Sequence, residues 1–267
     1  MPNVAAASVR FDGTVETVGD LDQVFALASV TKLLSTWAVL IAVEEGSIAL
    51  EAPLGQPGCT LRHLLSHAGG YPFSGYTPIS PPGKRRMYSN GGIEIAARAV
   101  SDATSMPFAT YLAEAVFRPL GMTSSALSTS AAYGVSGTVR DLIAFVGEIA
   151  TPTLLDPTTV ADATTVQYPD LDGRVPGVGA FRPCPWGLGF EIHGSKRPHW
   201  MGTKNSPETF GHFGAAGTLL WIDPVAAVGL IALTDRRFNE WPAQALQLWP
   251  ALSDAVLSDA ASPSGTL

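Results

Sequence analysis

Leu27-Ala28-Ser29-Val30-Thr31-Lys32-Leu33-Leu34 decides how this chain is read. Small and apolar residues lead into Ser29, and an apolar run through Trp37 and Leu40 follows. The spacing predicts a helix from about Ser29 to Glu45, ended by Gly46. A separation of three puts Ser29 and Lys32 on one face, a turn apart. A serine hydroxyl is a poor nucleophile until a base sits beside it. A lysine becomes that base when burial lowers its pKa. An apolar helix is a central one, so Lys32 is expected inside the fold. By itself the pair reads equally as a capping serine and a solvated lysine.

Outward from this helix, the flanks are strand-like. Val4 to Arg10 and Thr14 to Val18 surround the turn Phe11-Asp12-Gly13, a hairpin signal. Toward the other end, Gly187 to His193, Thr218 to Ile222 and Val228 to Thr234 are β-rich, and Trp241 to Ala260 reads as a closing helix. Between them, helical spacing covers Thr60 to His67, Gly91 to Ser101, Phe108 to Phe117 and Val139 to Ile149. Strands at both ends with helices between predict an α+β fold, one antiparallel sheet completed by both termini with an all-helical lobe inserted. The expected division of this single domain is an α/β lobe at about 1–50 and 185–267 and a helical lobe at about 51–184.

Composition narrows the function. The 267 residues are 46% hydrophobic and only 15% charged, too apolar to be disordered. Sixteen basic against 23 acidic residues give a net charge of −7, so nucleic acid is not an expected partner. The longest strongly apolar run, Trp37 to Val43, is far short of the roughly 20 residues of a membrane span. The start Met-Pro-Asn-Val-Ala-Ala-Ala has no basic region before an apolar one, so a cytoplasmic location is expected. Cys59 and Cys184 are expected as free thiols.

Two further motifs carry chemistry. In Tyr88-Ser89-Asn90 the outer side chains point the same way along an extended segment. A tyrosine can relay a proton, and an asparagine amide can hold a lysine or a substrate carbonyl. In Gly211-His212-Phe213-Gly214-Ala215-Ala216-Gly217-Thr218 the small residues allow close approach of a ligand to the backbone. His67-Ala68-Gly69 also fits His-x-Gly, but a strand follows only His212.

In this order and spacing the three motifs resemble the serine β-lactamase and penicillin-binding-protein superfamily. The nearest branch is the class C β-lactamase-like group, which includes D-peptidases and esterases. Thr60-Leu-Arg-His-Leu-Leu-Ser-His-Ala-Gly-Gly70, Phe117-Arg-Pro-Leu-Gly-Met-Thr123, Trp186-Gly-Leu-Gly-Phe190 and Leu220-Trp-Ile-Asp-Pro224 look like its signatures. The resemblance implies a β-lactamase-like fold and a serine hydrolase acting on a small ester, amide or peptide through an acyl-serine. Ser29 would be the nucleophile and Lys32 its base. Tyr88 would be a general base or relay, its phenol pKa lowered by Lys32. Asn90, His212, Gly214 and Ala215 would bind substrate, with the N–H groups of Ser29 and Ala215 as the oxyanion hole. No cofactor, metal or membrane is implied, and the oligomeric state stays open.

His212 stands where many relatives carry lysine, which weakens a β-lactamase reading without removing it. A carboxylesterase or D-peptidase/amidase is favoured because most β-lactam defence lies outside the cytoplasm, the expected location. The alternatives are a β-lactamase or a catalytically weak penicillin-binding module. His63 and His67, four apart, are expected to be structural, because no glutamate base accompanies them. Arg85, Arg86, Arg236 and Arg237 are expected on the solvated surface, the alternative being that one of them receives a substrate carboxylate. Trp186, Trp200 and Tyr76 are candidates to line the cleft. The chain is short beside its relatives, which implies trimmed loops and an open cleft.

Overall fold

The computed structural model describes residues 3–261. The chain opens with β1 (Val4–Arg10), β2 (Val15–Val18) and the short β3 (Phe25–Ala26). A 3-10 turn at Ala28–Val30 feeds α1 (Thr31–Glu44). The inserted part holds α2 (Leu61–Leu65), β4 (Arg86–Met87), α3 (Asn90–Thr104) and α4 (Phe108–Leu112), which continues as a π-helical turn. It goes on through β5 (Ala126–Leu127), β6 (Val135–Gly137), α5 (Val139–Ala150), α6 (Pro157–Thr164), β7 (Gly173–Val175) and β8 (Gly179–Phe181). The closing part is β9 (Glu191–Ile192), β10 (Phe210–Gly214), β11 (Thr218–Asp223), β12 (Val228–Thr234) and α7 (Pro242–Ala261).

The main sheet runs β2-β1-β12-β11-β10-β9, antiparallel throughout. Val4 pairs with Thr234 and Arg10 with Val228, so the two ends of the chain share the centre of the sheet. Period-two alternation divides its side chains. Ala5, Ala7, Ile231 and Leu233 join a core with residues of α1 and α5. Trp221, Leu230 and Ala232 join a second core with Trp249 of α7. Both faces are covered, which is why β11 and β12 are almost wholly apolar and fully buried. Each buried Leu or Ile here contributes about 1.5–3 kcal/mol relative to exposure.

The fold is the α+β arrangement read from the sequence, with two refinements. The inserted part is not purely helical: β6 pairs with β3 on one side and β5 on the other, and β4, β7 and β8 form a second small sheet. Gly187 to His193 yields only a two-residue strand, because Gly189 takes φ 75° and turns the chain back. A Cβ there would also lie 2.1 Å from Thr36 Oγ1.

Candidate active site

α1 is buried on nearly every side, as its apolar sequence requires of a central helix. Its start is fixed by an unusual backbone: Ala28 has φ 47°, in the left-handed region an alanine enters only at a cost of about 1–2 kcal/mol. The β10 backbone lies against this turn. Thr218 Oγ1 donates to the Leu27 carbonyl at 2.8 Å. A Cβ on Gly214 would sit 2.5 Å from that carbonyl oxygen, 2.4 Å from Thr218 Oγ1 and 3.0 Å from the Ala28 Cβ. Only glycine fits. We expect Gly214→Ala to push β10 away from Ser29, and a displacement of that kind lowers kcat/KM by roughly 100-fold. Steady-state kinetics with an ester, beside an unchanged circular dichroism spectrum, checks this.

Lys32 is completely buried. Its Nζ lies 2.8 Å from Asn90 Oδ1, 2.8 Å from the Ala132 carbonyl oxygen and 3.3 Å from Ser29 Oγ. Burial holds its pKa well below 10.5, opposed by the charge of Glu94. Asn90 starts α3, but the helix is capped by its neighbour: Ser89 Oγ accepts from the Gly92 N–H at 3.0 Å. That leaves the Asn90 amide for Lys32.

The Tyr88 hydroxyl donates to Ser29 Oγ at 2.8 Å. Here one expectation is corrected. Burial pushes the phenol pKa up, not down, even though Lys32 Nζ sits over the ring, 4.7 Å from its centroid. At neutral pH Tyr88 therefore carries its proton. His67 supports this side chain. It takes a left-handed φ of 57°, accepts the Ser89 N–H at Nδ1 and packs its ring 4.7 Å from that of Tyr88. His63 lies elsewhere, on the Thr60 cap and stacked on Tyr168.

His212 lies inside β10. Its Nδ1 is 2.6 Å from the Phe213 carbonyl oxygen and so carries the proton, which leaves Nε2 as an acceptor. That Nε2 is buried and unpartnered. Burial, helped by nearby Lys32, lowers the imidazole pKa to about 3, so the ring is neutral at physiological pH. Ser29, Tyr88, His212 and Ala215 line a cavity of about 170 Å³, walled by Phe73, Val175, Pro176, Trp186, Phe213 and Phe238.

The sequence reading missed Glu191, which also lines this cavity. It is wholly buried, 3.1 Å from Lys196 Nζ. Its carboxylate accepts from His199 Nε2 at 2.7 Å and from Trp200 Nε1 at 2.8 Å. Burial raises the carboxyl pKa, but Lys196 and these donors outweigh it and hold the group ionised. His199, lowered by its own burial, serves as a neutral donor, with its Nδ1 accepting the Met201 N–H. A lone glutamate within Trp186-Gly-Leu-Gly-Phe-Glu-Ile192 was the available signal. Removing it strands Lys196, so Glu191→Ala should destabilise the fold by about 3–5 kcal/mol in urea unfolding.

Other expectations need adjustment. Arg86 is not on the surface: its guanidinium donates to the carbonyls of Cys184, Ser66, Gln167 and Tyr168. Trp200 belongs to the core beneath the cavity, and Tyr76 projects outward. Cys59 and Cys184 are buried free thiols. Among the described residues no helix is long and apolar enough to cross a membrane.

The chain as a whole resembles known proteins. A protein of Mycobacterium bovis described as a β-lactamase is 48% identical, superposes with a TM-score of 0.95, and is matched over 98% of this chain and 96% of its own. An Escherichia coli (strain K12) protein provisionally named D-alanyl-D-alanine carboxypeptidase is 23% identical over 86% of this chain and 74% of its own. The simvastatin synthase LovD of Aspergillus terreus shares the fold, with a TM-score of 0.80 at 18% identity, over 97% of this chain and 94% of its own. The profile of the family described as Beta-lactamase matches residues 4–252. On these matches the chain belongs to the β-lactamase family, within the serine β-lactamase and penicillin-binding-protein superfamily.

Proposed function

We propose that the protein cleaves an ester or amide through an acyl-Ser29 intermediate, with carboxylesterase- or D-peptidase/amidase-like activity. One observation carries this reading. A neutral Lys32 amine has two N–H bonds and one lone pair. Asn90 Oδ1 and the Ala132 carbonyl, each at 2.8 Å, take the two hydrogens. The lone pair is left for the Ser29 hydroxyl at 3.3 Å.

Acylation then balances. Ser29 Oγ bonds to the substrate carbonyl carbon as its proton passes to Lys32. The oxyanion is held by the N–H groups of Ser29 and Ala215. Tyr88, protonated, gives its proton to the leaving oxygen or nitrogen as that bond breaks, and regains one from the Lys32 ammonium. Water then attacks the acyl-enzyme, releasing the acid and restoring the serine. His212 offers an acceptor to a donor group on the substrate, and Asn90 keeps its amide N–H groups for the substrate carbonyl.

The neutral His212 favours esters and amides over β-lactams, because the cavity lacks the fixed cation a lysine at that position supplies. The kinship to a Mycobacterium bovis protein described as a β-lactamase supports the second reading. A panel of p-nitrophenyl esters, D-amino-acid amides, a D-Ala-D-Ala peptide and nitrocefin separates them. The expected result is a burst of p-nitrophenol equal to the enzyme concentration, followed by steady turnover. Nitrocefin hydrolysed faster than every ester and amide would favour the β-lactamase. No burst or turnover with any substrate would leave a binding module.

A further inference from the structure

Beside the cavity lies a groove of about 770 Å³, and the two share Phe73, Tyr88 and Pro176 as lining. Lys84, Arg85, Arg86, Arg174 and Arg182 line this groove against Asp170 and Asp172. Five of the chain's sixteen basic residues therefore surround one groove of a protein whose net charge is −7. Arg182 pairs with Asp172 at 3.2 Å, and the Arg86 donors are committed to carbonyls. Lys84, Arg85 and Arg174 are exposed, and among the described residues none has an ion pair or side-chain hydrogen bond.

The folding of the small sheet makes this placement specific. β4 and β7 run parallel, with Met87 opposite Arg174. β4 leads directly into Tyr88, and β7 ends at Val175, followed by Pro176. The two strands that present the groove's cations thus also deliver three residues to the cavity. A cation one residue before Val175 and others three and four residues before Tyr88 lie at the exit of the site, not at a remote surface.

We propose that this groove is a subsite for an anionic arm of the substrate: a carboxylate or phosphate carried beyond a short apolar stem that fills the cavity. The inference rests on the acyl-Ser29 reading and names its substrate class. Lys84, Arg85 and Arg174 supply the charge that neutral His212 does not. A guanidinium such as Arg174 can grip a carboxylate or phosphate through paired N–H groups. An anion is otherwise repelled by a chain of net negative charge, so a preference for anions has to come from this local field.

Matched esters test it. One pair places the anion on the acyl side: p-nitrophenyl hydrogen adipate against its methyl ester. The other places it on the leaving side: 4-acetoxybenzoate against methyl 4-acetoxybenzoate. The readout is the anionic-to-neutral ratio of kcat/KM, in which intrinsic reactivity cancels when variant and wild type are compared. Losing a charge-assisted contact in a half-open groove lowers that ratio by about 10-fold. We expect this for Arg174→Glu and Arg85→Glu in one of the two pairs, and the responding pair identifies the side. Arg174→Lys keeps most of the preference. A ratio unchanged by both reversals in both pairs overturns the subsite. Calorimetry with 4-acetoxybenzoate and the adipate ester on Ser29→Ala, with and without Arg174→Glu, answers independently of turnover. Equal affinities there also overturn it, whereas affinity without hydrolysis by the wild type would count against the catalytic reading alone.

Discussion

Ser29→Ala is expected to lower ester turnover by roughly 10⁴–10⁶-fold, the scale of losing a nucleophile that works as a unit with its base. No other serine or cysteine takes its place. Among the described residues, Ser29 alone has both a buried amine and a phenol on its hydroxyl. The variant should still fold. Among the described residues Ser29 Oγ hydrogen-bonds only with Lys32 and Tyr88, and leaving the buried Tyr88 hydroxyl without its acceptor costs about 1–3 kcal/mol. Kinetics and thermal unfolding on one preparation separate the two effects. Residual activity within tenfold of wild type would remove Ser29 from the mechanism.

The second large effect concerns Lys32. Lys32→Arg keeps a positive charge and cannot surrender a proton near neutrality, so it should lower kcat/KM by about 10²–10⁴-fold, the worth of a positioned general base. The pH profile gives the sign. The reactive form is the neutral amine, so wild-type kcat/KM rises as pH rises through the Lys32 pKa, which burial places well below 10.5. That limb should vanish in the variant. Stability follows the same titration. Between the depressed folded pKa and 10.5 the unfolded chain binds more protons, so stability rises with pH across that window. Lys32→Met should flatten this slope. A flat wild-type profile over the window would contradict a lysine base.

Much of this was legible in the sequence because local rules and global fold agree. The hairpin turn at Asp12-Gly13, the apolar runs of β11 and β12, and the helix ended by Gly46 are where their patterns place them. Ser29, Lys32, Tyr88, Asn90, His212, Gly214 and Ala215 are brought together from three separate segments.

The rest was hidden for identifiable reasons. Whether Arg86 is exposed or buried depends on four carbonyls that its own segment does not contain. The rise in the Tyr88 pKa depends on how dry its surroundings are, and spacing says nothing about that. Glu191 meets Lys196 and His199 only after Gly189 and Gly194 turn the chain, each at positive φ. The β4-β7 pairing joins residues 87 apart, and with it the groove's cations become one surface.

The most direct test of the account is the site of covalent attachment. Wild-type protein is mixed with a fluorophosphonate or a slowly turned-over p-nitrophenyl ester, quenched in acid, digested and read by mass spectrometry. The account predicts one adduct per chain, on the hydroxyl of Ser29. An adduct on another residue, or none while ester turnover proceeds, would contradict it.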